Sequence, residues 1–134
     1  MNVLVAEDDA LSRKMLERVL VDSGHHVCAV GGSTELLAVC GRCAYELVLS
    51  DIHFGADEAD GIAACLRILR DHPGLGIVMM TADPDDARRA QAAGFAEVLL
   101  KPFTVDQLFA ALDRAARSRR ASAGPDAVLP IRPY

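Results

Sequence analysis

Five short apolar runs, near residues 2–6, 26–30, 46–50, 76–80 and 97–100, alternate with stretches of helical spacing, and this alternation constrains the fold more than any other feature. Each run is rich in Val, Leu and Ile, bounded by polar or turn residues and too short for a helix, so each is predicted to be a strand. Between them, Leu11, Met15 and Val19 share one helical stripe, Ala64, Ile68 and Asp71 another, and Leu108, Leu112 and Ala115 a third. Boundary chemistry agrees. Gly24 and Gly94 fall just past the first and fourth helices, where a left-handed residue is favoured. Asp83 and Pro84 suit an N-cap and a first helical turn, and Thr104 with Gln107 forms a capping box for the last helix.

Strands that are apolar on both faces and joined through helices form a parallel sheet covered on each side, because parallel neighbours need crossover connections. The expected fold is α/β, a flavodoxin-like doubly wound five-stranded parallel sheet of order 2-1-3-4-5 with five covering helices. A chain of 134 residues that is 51% apolar supplies one continuous core. The folded domain is expected over residues 1–120, and residues 121–134, with three prolines and no periodicity, read as a disordered tail.

The net charge of −5 is mild, and the acidic residues gather near strand ends, which points to a local site and away from nucleic-acid binding. No apolar run approaches the ~20 residues of a bilayer span and no N-terminal leader pattern is present, so a cytoplasmic, soluble domain is expected. Cys28, Cys40, Cys43 and Cys65 read as idle thiols, since Cys40-Gly-Arg-Cys43 lacks the second ligand pair of a zinc site. Arg114, Arg117, Arg119 and Arg120 read as a solvated face favoured by the helix dipole. His25, His26 and His72 fall at turns, and Met79 and Met80 are core.

Polar landmarks close the apolar runs: Glu7-Asp8-Asp9 after the first, Asp51 after the third, Thr81 after the fourth and Lys101-Pro102-Phe103 after the fifth. Ligands of such sheets bind beyond the carboxyl ends of the strands at the switch point, here between strands one and three. Two carboxylates about 4 Å apart repel by roughly 4 kcal/mol at an effective dielectric of about 20, so this cluster requires a cation. Hard oxygen ligands with room for water suit Mg²⁺, and Mg²⁺ in turn suits a phosphoryl donor. An ordinary acidic helix start explains Asp9 but not the arrival of Asp51, Thr81 and Lys101 at the same edge. Asp51 is placed to attack phosphorus as an oxygen nucleophile, Lys101 to ion-pair with the phosphoryl group and Thr81 to donate a hydroxyl.

Taken together, these residues resemble the receiver domain of two-component response regulators over about residues 1–120. Val3-Leu4-Val5-Ala6-Glu7-Asp8-Asp9 is similar to the family's first strand and acidic pair, and Leu47-Val48-Leu49-Ser50-Asp51-Ile52 to its phosphoacceptor strand. Met80-Thr81-Ala82 resembles the strand-four switch, and Lys101-Pro102-Phe103 the terminal signature, whose Lys-Pro bond is often cis. The resemblance implies that Asp51 takes a phosphoryl group from a histidine kinase or histidine phosphotransferase. It also implies that Glu7, Asp8 and Asp51 hold Mg²⁺ with the backbone carbonyl of His53, Glu7 acting through water. Thr81 and Lys101 would then turn to the phosphoryl group and shift the face formed by helix four, strand five and helix five, which meets a downstream protein or a second copy. Such a domain is a signalling phosphoacceptor with Mg²⁺-dependent self-phosphorylation and autodephosphorylation, not an enzyme.

The chain departs from the family in two places. The loop His53-Phe54-Gly55-Ala56-Asp57-Glu58-Ala59-Asp60-Gly61 lacks the usual Met-Pro and is about two residues longer, and Val98 stands where a switch aromatic is usual. By the same resemblance His53 and Asp83 flank the path of attacking water. A haloacid dehalogenase-class phosphatase would need a second acid at the position of His53, and a flavin or nucleotide carrier a Gly- or Ser/Thr-rich loop where Glu7-Asp8-Asp9 stands. The remaining alternatives are a degenerate, phosphorylation-independent binding module and a receiver module from a hybrid sensor kinase.

Overall fold

A computed structural model describes residues 1–55 and 58–123, with side chains through residue 119. Five strands and five helices alternate along it: β1 (Asn2–Ala6), α1 (Ala10–Asp22), β2 (His26–Val30), α2 (Ser33–Cys40), β3 (Leu47–Asp51), α3 (Gly61–Asp71), β4 (Gly76–Thr81), α4 (Pro84–Ala92), β5 (Glu97–Leu100) and α5 (Val105–Ala123). All pairings are parallel and the sheet order is β2-β1-β3-β4-β5, as the alternation of runs predicts. The last helix carries structure three residues past the expected boundary at residue 120, and the expected tail lies outside the described residues from residue 124 onward.

The sheet separates two apolar clusters because consecutive strand residues point to opposite faces. Val3, Val5, Leu47, Leu49, Val78 and Met80 meet Leu20 of α1 and Leu108, Leu112 and Ala115 of α5. Leu4, Val48, Ile77 and Met79 meet Leu36 of α2, Ile62, Cys65 and Ile68 of α3 and Ala90 of α4. Every residue of β3 and β4 is buried, which accounts for runs that are apolar without alternation.

One predicted stripe is corrected. Leu11 and Met15 are exposed, whereas Leu20 is buried with Leu16 and Val19 packed against the same cluster. The inward stripe of α1 therefore passes through Ser12 or Arg13, Leu16, Val19 and Leu20. Its first turn lies at the polar end of the sheet, where the Arg13 Nη1 donates to the Glu7 carbonyl at 2.9 Å. Polar residues at the start of the true stripe made its neighbour the more apolar one on paper. In α3, Ala64 and Ile68 are buried as expected, while Asp71 closes the helix in solvent.

Helix ends follow the expected chemistry. Gly24 and Gly94 have φ of 93° and 104°, the left-handed conformation that glycine adopts without strain. Asp83 caps α4 by accepting from Asp85 N at 2.9 Å. The Thr104 Oγ1 accepts from Gln107 N at 3.1 Å while the Gln107 Oε1 accepts from Thr104 N at 2.8 Å. The Cys40 and Cys65 thiols are buried, and burial pushes them up, Cys65 to about 12, so they stay protonated. Among the described residues no helix is long and apolar enough to cross a membrane.

The long loop after β3 closes through a tight approach of backbones. Gly61 N donates to the Ile52 carbonyl at 2.7 Å, and a Cβ on Gly61 would lie 2.0 Å from the Asp51 carbonyl oxygen. Any side chain there forces β3 and α3 apart. Gly61→Ala is expected to lower stability by about 3 kcal/mol in urea unfolding, through overpacking. Gly74→Ala, where nothing lies within 4 Å of the added Cβ, is expected to change it by less than about 0.5 kcal/mol.

Candidate functional site

Register brings the landmarks to one edge. Ala6 pairs with Ser50, which sets Glu7 level with Asp51, and Thr81 pairs with Leu100, which sets Lys101 one residue further along the neighbouring strand. Chain continuity then fixes Asp8 just outside Glu7. Asp9 leaves the group to cap α1, accepting from Ser12 N at 2.8 Å, so the acidic helix-start reading holds for that residue alone.

One oxygen from each of Glu7, Asp8 and Asp51 lies within 4.8 Å of the other two. Glu7 and Asp51 are buried and Asp8 is exposed, so the group opens to solvent through Asp8. The Lys101 ammonium bridges the two buried acids, 2.6 Å from Asp51 Oδ1 and 2.8 Å from Glu7 Oε1. Burial first, and then the Glu7 carboxylate, push the Asp51 carboxyl up to about 8 against the pull of Lys101. Glu7, despite its burial, is held below the usual carboxylate value by its bonds to Asp51 and Lys101. For Lys101, pairing with both acids outweighs the effect of burial and raises it above an ordinary lysine.

The remaining predicted residues surround this core. The buried Thr81 hydroxyl accepts from Asp83 N at 3.1 Å, and the Thr81 carbonyl accepts from Lys101 N at 2.8 Å, so the ends of β4 and β5 are tied together. The Lys101–Pro102 peptide bond is cis. Val98 is half-buried against the cluster under α3 and α4 and does not join the carboxylates. His53 stands beyond them too: its exposed imidazole pairs through Nε2 with Asp86 of α4, leaving the backbone carbonyl as the atom it can offer a cation.

The donor set fits a hard divalent cation. All three contributed ligands are carboxylate oxygens, two of them buried like charges with a single ammonium between them, and the exposed Asp8 leaves one side open to water, as Mg²⁺ prefers. An oxygen nucleophile beside an ammonium and a cation site can accept a phosphoryl group.

Sequence reasoning missed four contributors. Arg13 anchors the Glu7 backbone, Glu58 accepts from Thr34 Oγ1 at 2.5 Å and so fastens the long loop to the start of α2, and Asp86 with Arg89 ties α4 to that loop. Acids and arginines in a loop or on a helix surface are ordinary solvent-facing residues in a one-dimensional reading. Only the two extra residues of the loop hinted that it had its own anchors.

A family model described as the response regulator receiver domain matches residues 3–113. The DNA-binding transcriptional regulator NtrC of Salmonella typhimurium is 35% identical over 115 residues, covering 84% of this chain and 24% of that protein. The sensor histidine kinase AruS of Pseudomonas aeruginosa is 35% identical over 124 residues, 88% of this chain and 12% of the kinase. The crystal structure of the receiver domain of NtrX from Brucella abortus superposes with a TM-score of 0.80 at 29% identity, covering 87% of this chain and 98% of that one. The chain thus spans a quarter or less of the length of these two curated relatives.

The same ion cluster gives opposite expectations for two of its members. Lys101→Met leaves Glu7 and Asp51 buried without their counter-charge and is expected to lower stability by about 2 kcal/mol in urea unfolding. Asp51→Asn removes an acid that burial and Glu7 push up to about 8 while Lys101 keeps Glu7, and is expected to raise stability by about 1 kcal/mol at neutral pH and above, where the unfolded carboxyl is ionised.

Proposed function

The chain belongs to the response regulator receiver domain family, and on that premise we propose that Asp51 accepts a phosphoryl group from a histidine of a kinase or phosphotransferase, with Mg²⁺ held by Glu7, Asp8 and Asp51. The observation that carries this reading is the buried Asp51 carboxylate with Lys101 at 2.6 Å and two further acid oxygens within 4.8 Å. When bound, Mg²⁺ neutralises charge on the transferring phosphoryl oxygens and the carboxylates. Asp51 Oδ forms the new O–P bond as the donor's N–P bond breaks, and the departing imidazole keeps the electron pair and takes up a proton. Lys101, freed from the Asp51 oxygen, pairs with the phosphoryl group, and Glu7 keeps its bond to Lys101 while its other oxygen would help hold the cation. The His53 backbone carbonyl would join Glu7, Asp8 and Asp51 in holding the cation.

Thr81 gives up the Asp83 N–H and turns its hydroxyl to a phosphoryl oxygen. That movement shifts contacts on the face of α4, β5 and α5, where a downstream protein or a second copy of the chain docks. Val98 offers no ring to rotate, so this shift passes through packing and hydrogen bonds. His53 and Asp83 border the path of the water that removes the phosphoryl group. The domain is a cytoplasmic signalling phosphoacceptor and not a turnover enzyme. The likeness to a segment of AruS favours a second context, a receiver module within a longer sensor kinase.

A protein donor must seat its histidine over Asp51 and rest on the surface beside it. Leu11 and Met15 of α1, the helix that follows the Glu7-Asp8-Asp9 edge, are 69% and 61% exposed. Met15 also lines a groove of about 480 Å³ with Leu16, Val19, Phe103, Val105 and Leu108 that reaches Glu7 and Lys101. Exposed apolar area of this kind marks a contact surface, and its position matches an approaching donor.

Incubation with Mg²⁺ and acetyl phosphate or phosphoramidate is expected to add one phosphoryl group by intact mass. Asp51→Asn and the omission of Mg²⁺ should each abolish it; a gain in the Asn variant would overturn the assignment. Met15→Lys is expected to slow transfer from a phosphohistidine protein about tenfold with the acetyl phosphate rate unchanged. Equal slowing with both donors would remove the groove from donor docking.

A further inference from the structure

Asp86 is a buried carboxylate in the first turn of α4 that the proposed chemistry does not use. Its Oδ1 takes Nε and Nη2 of Arg89 at 3.1 and 3.0 Å, and its Oδ2 faces His53 Nε2. Arg89 Nη1 continues to Asp60 Oδ2 at 3.0 Å, and Asp60 Oδ1 in turn caps α3 by accepting from Ile62 N at 3.4 Å. A chain of polar contacts therefore starts at His53, two residues past Asp51, with its close approach to Asp86, and continues by hydrogen bonds through Arg89 and Asp60 to the start of α3. The two ends of the loop that follows Asp51 are thus held by one ion pair of the neighbouring helix, His53 by Asp86 and Asp60 by Arg89.

A helix N-terminus favours an acid, so an exposed Asp86 would need no other explanation. Burial changes this, because a carboxylate 6% exposed is costly unless its charge is met, here by Arg89 of the same helix at Oδ1 and by His53 of the loop at Oδ2. Oδ2 has no hydrogen bond among the described residues, and the closely approaching His53 Nε2 is the group that faces its charge. The imidazole that meets Asp86 and the carbonyl beside the carboxylates belong to one residue, so His53 links α4 to the backbone next to Asp51. This link also stands where the chain lacks a ring at Val98 to carry movement toward the same helix.

We propose that Asp86 is a positioning residue that couples the Asp51 site to α4, by fixing His53 on one side and, through Arg89, the α3 cap Asp60 on the other. The coupling rests on the phosphoacceptor reading above. Ordering of the 52–55 segment around a charged Asp51 pulls on Oδ2 of Asp86, and the first turn of α4 tightens or shifts in response. A purely structural carboxylate would affect the resting stability of α4 but not its response to Asp51.

The test is amide hydrogen exchange on the full chain, with and without Mg²⁺ plus beryllium fluoride as a phosphoryl mimic, in the natural protein, Asp86→Asn and Arg89→Gln. Arg89 is exposed, so its variant keeps the fold even if Asp86→Asn is impaired. In the natural protein the mimic is expected to slow exchange about fivefold both around Asp51 and across residues 84–92. Both variants should keep the first response and lose the second, and His53→Gln, which retains an N–H donor, should keep more of it than His53→Ala. An α4 response in Arg89→Gln and Asp86→Asn equal to that of the natural protein overturns the coupling alone. No protection around Asp51 in the natural protein overturns the phosphoacceptor reading together with it.

Discussion

A single ammonium between two buried carboxylates holds the site together. Lys101 reaches Asp51 and Glu7 at 2.6 and 2.8 Å, and without it two like charges at such range would repel by roughly 4 kcal/mol at an effective dielectric of about 20. The bridge joins the first, third and fifth strands at one edge. It also leaves the acids poised, since an incoming cation and a phosphoryl group can each take over part of what the ammonium does alone. Burial raises Asp51 and pairing raises Lys101, two opposing effects within one contact.

The parallel topology makes that contact possible. With every strand running in the same direction, all carboxyl ends fall on one edge, and the order β2-β1-β3-β4-β5 places β1 beside β3. Glu7 and Asp51 are then level by register and not by loop design. Apolar packing on both faces fixes the register, because a slip of one residue would turn Val3, Val5, Leu47 and Leu49 from one cluster to the other. The cores under α1 and α5 and under α2, α3 and α4 therefore act on the site as much as the charged residues do.

The long loop after β3 is anchored twice. Glu58 reaches Ser33 and Thr34 at the start of α2, and Asp60 reaches Arg89 of α4. Gly61 then lets the loop return against the end of β3. These anchors give a longer loop defined ends despite the loss of the usual proline. They also connect the segment beside Asp51 to helices on both sides of it.

The sequence by itself determined the five strands, their parallel arrangement, the caps at Asp83, Thr104, Gly24 and Gly94, and the meeting of Glu7, Asp8, Asp51, Thr81 and Lys101 at one edge. Each depends on local pattern: apolar runs too short for helices, turn residues with fixed conformational preferences, and polar residues placed directly after strands. Only the tertiary structure decided which stripe of α1 faces the sheet, because Ser12 and Arg13 occupy the inward positions near the polar edge and leave Leu11 and Met15 outside. It also decided that Asp86 is buried, that His53 and Arg89 converge on it, and that Arg89 reaches on to Asp60. Those partners come from separate elements, and no spacing along the chain encodes a contact that depends on how two helices sit beside the same strand.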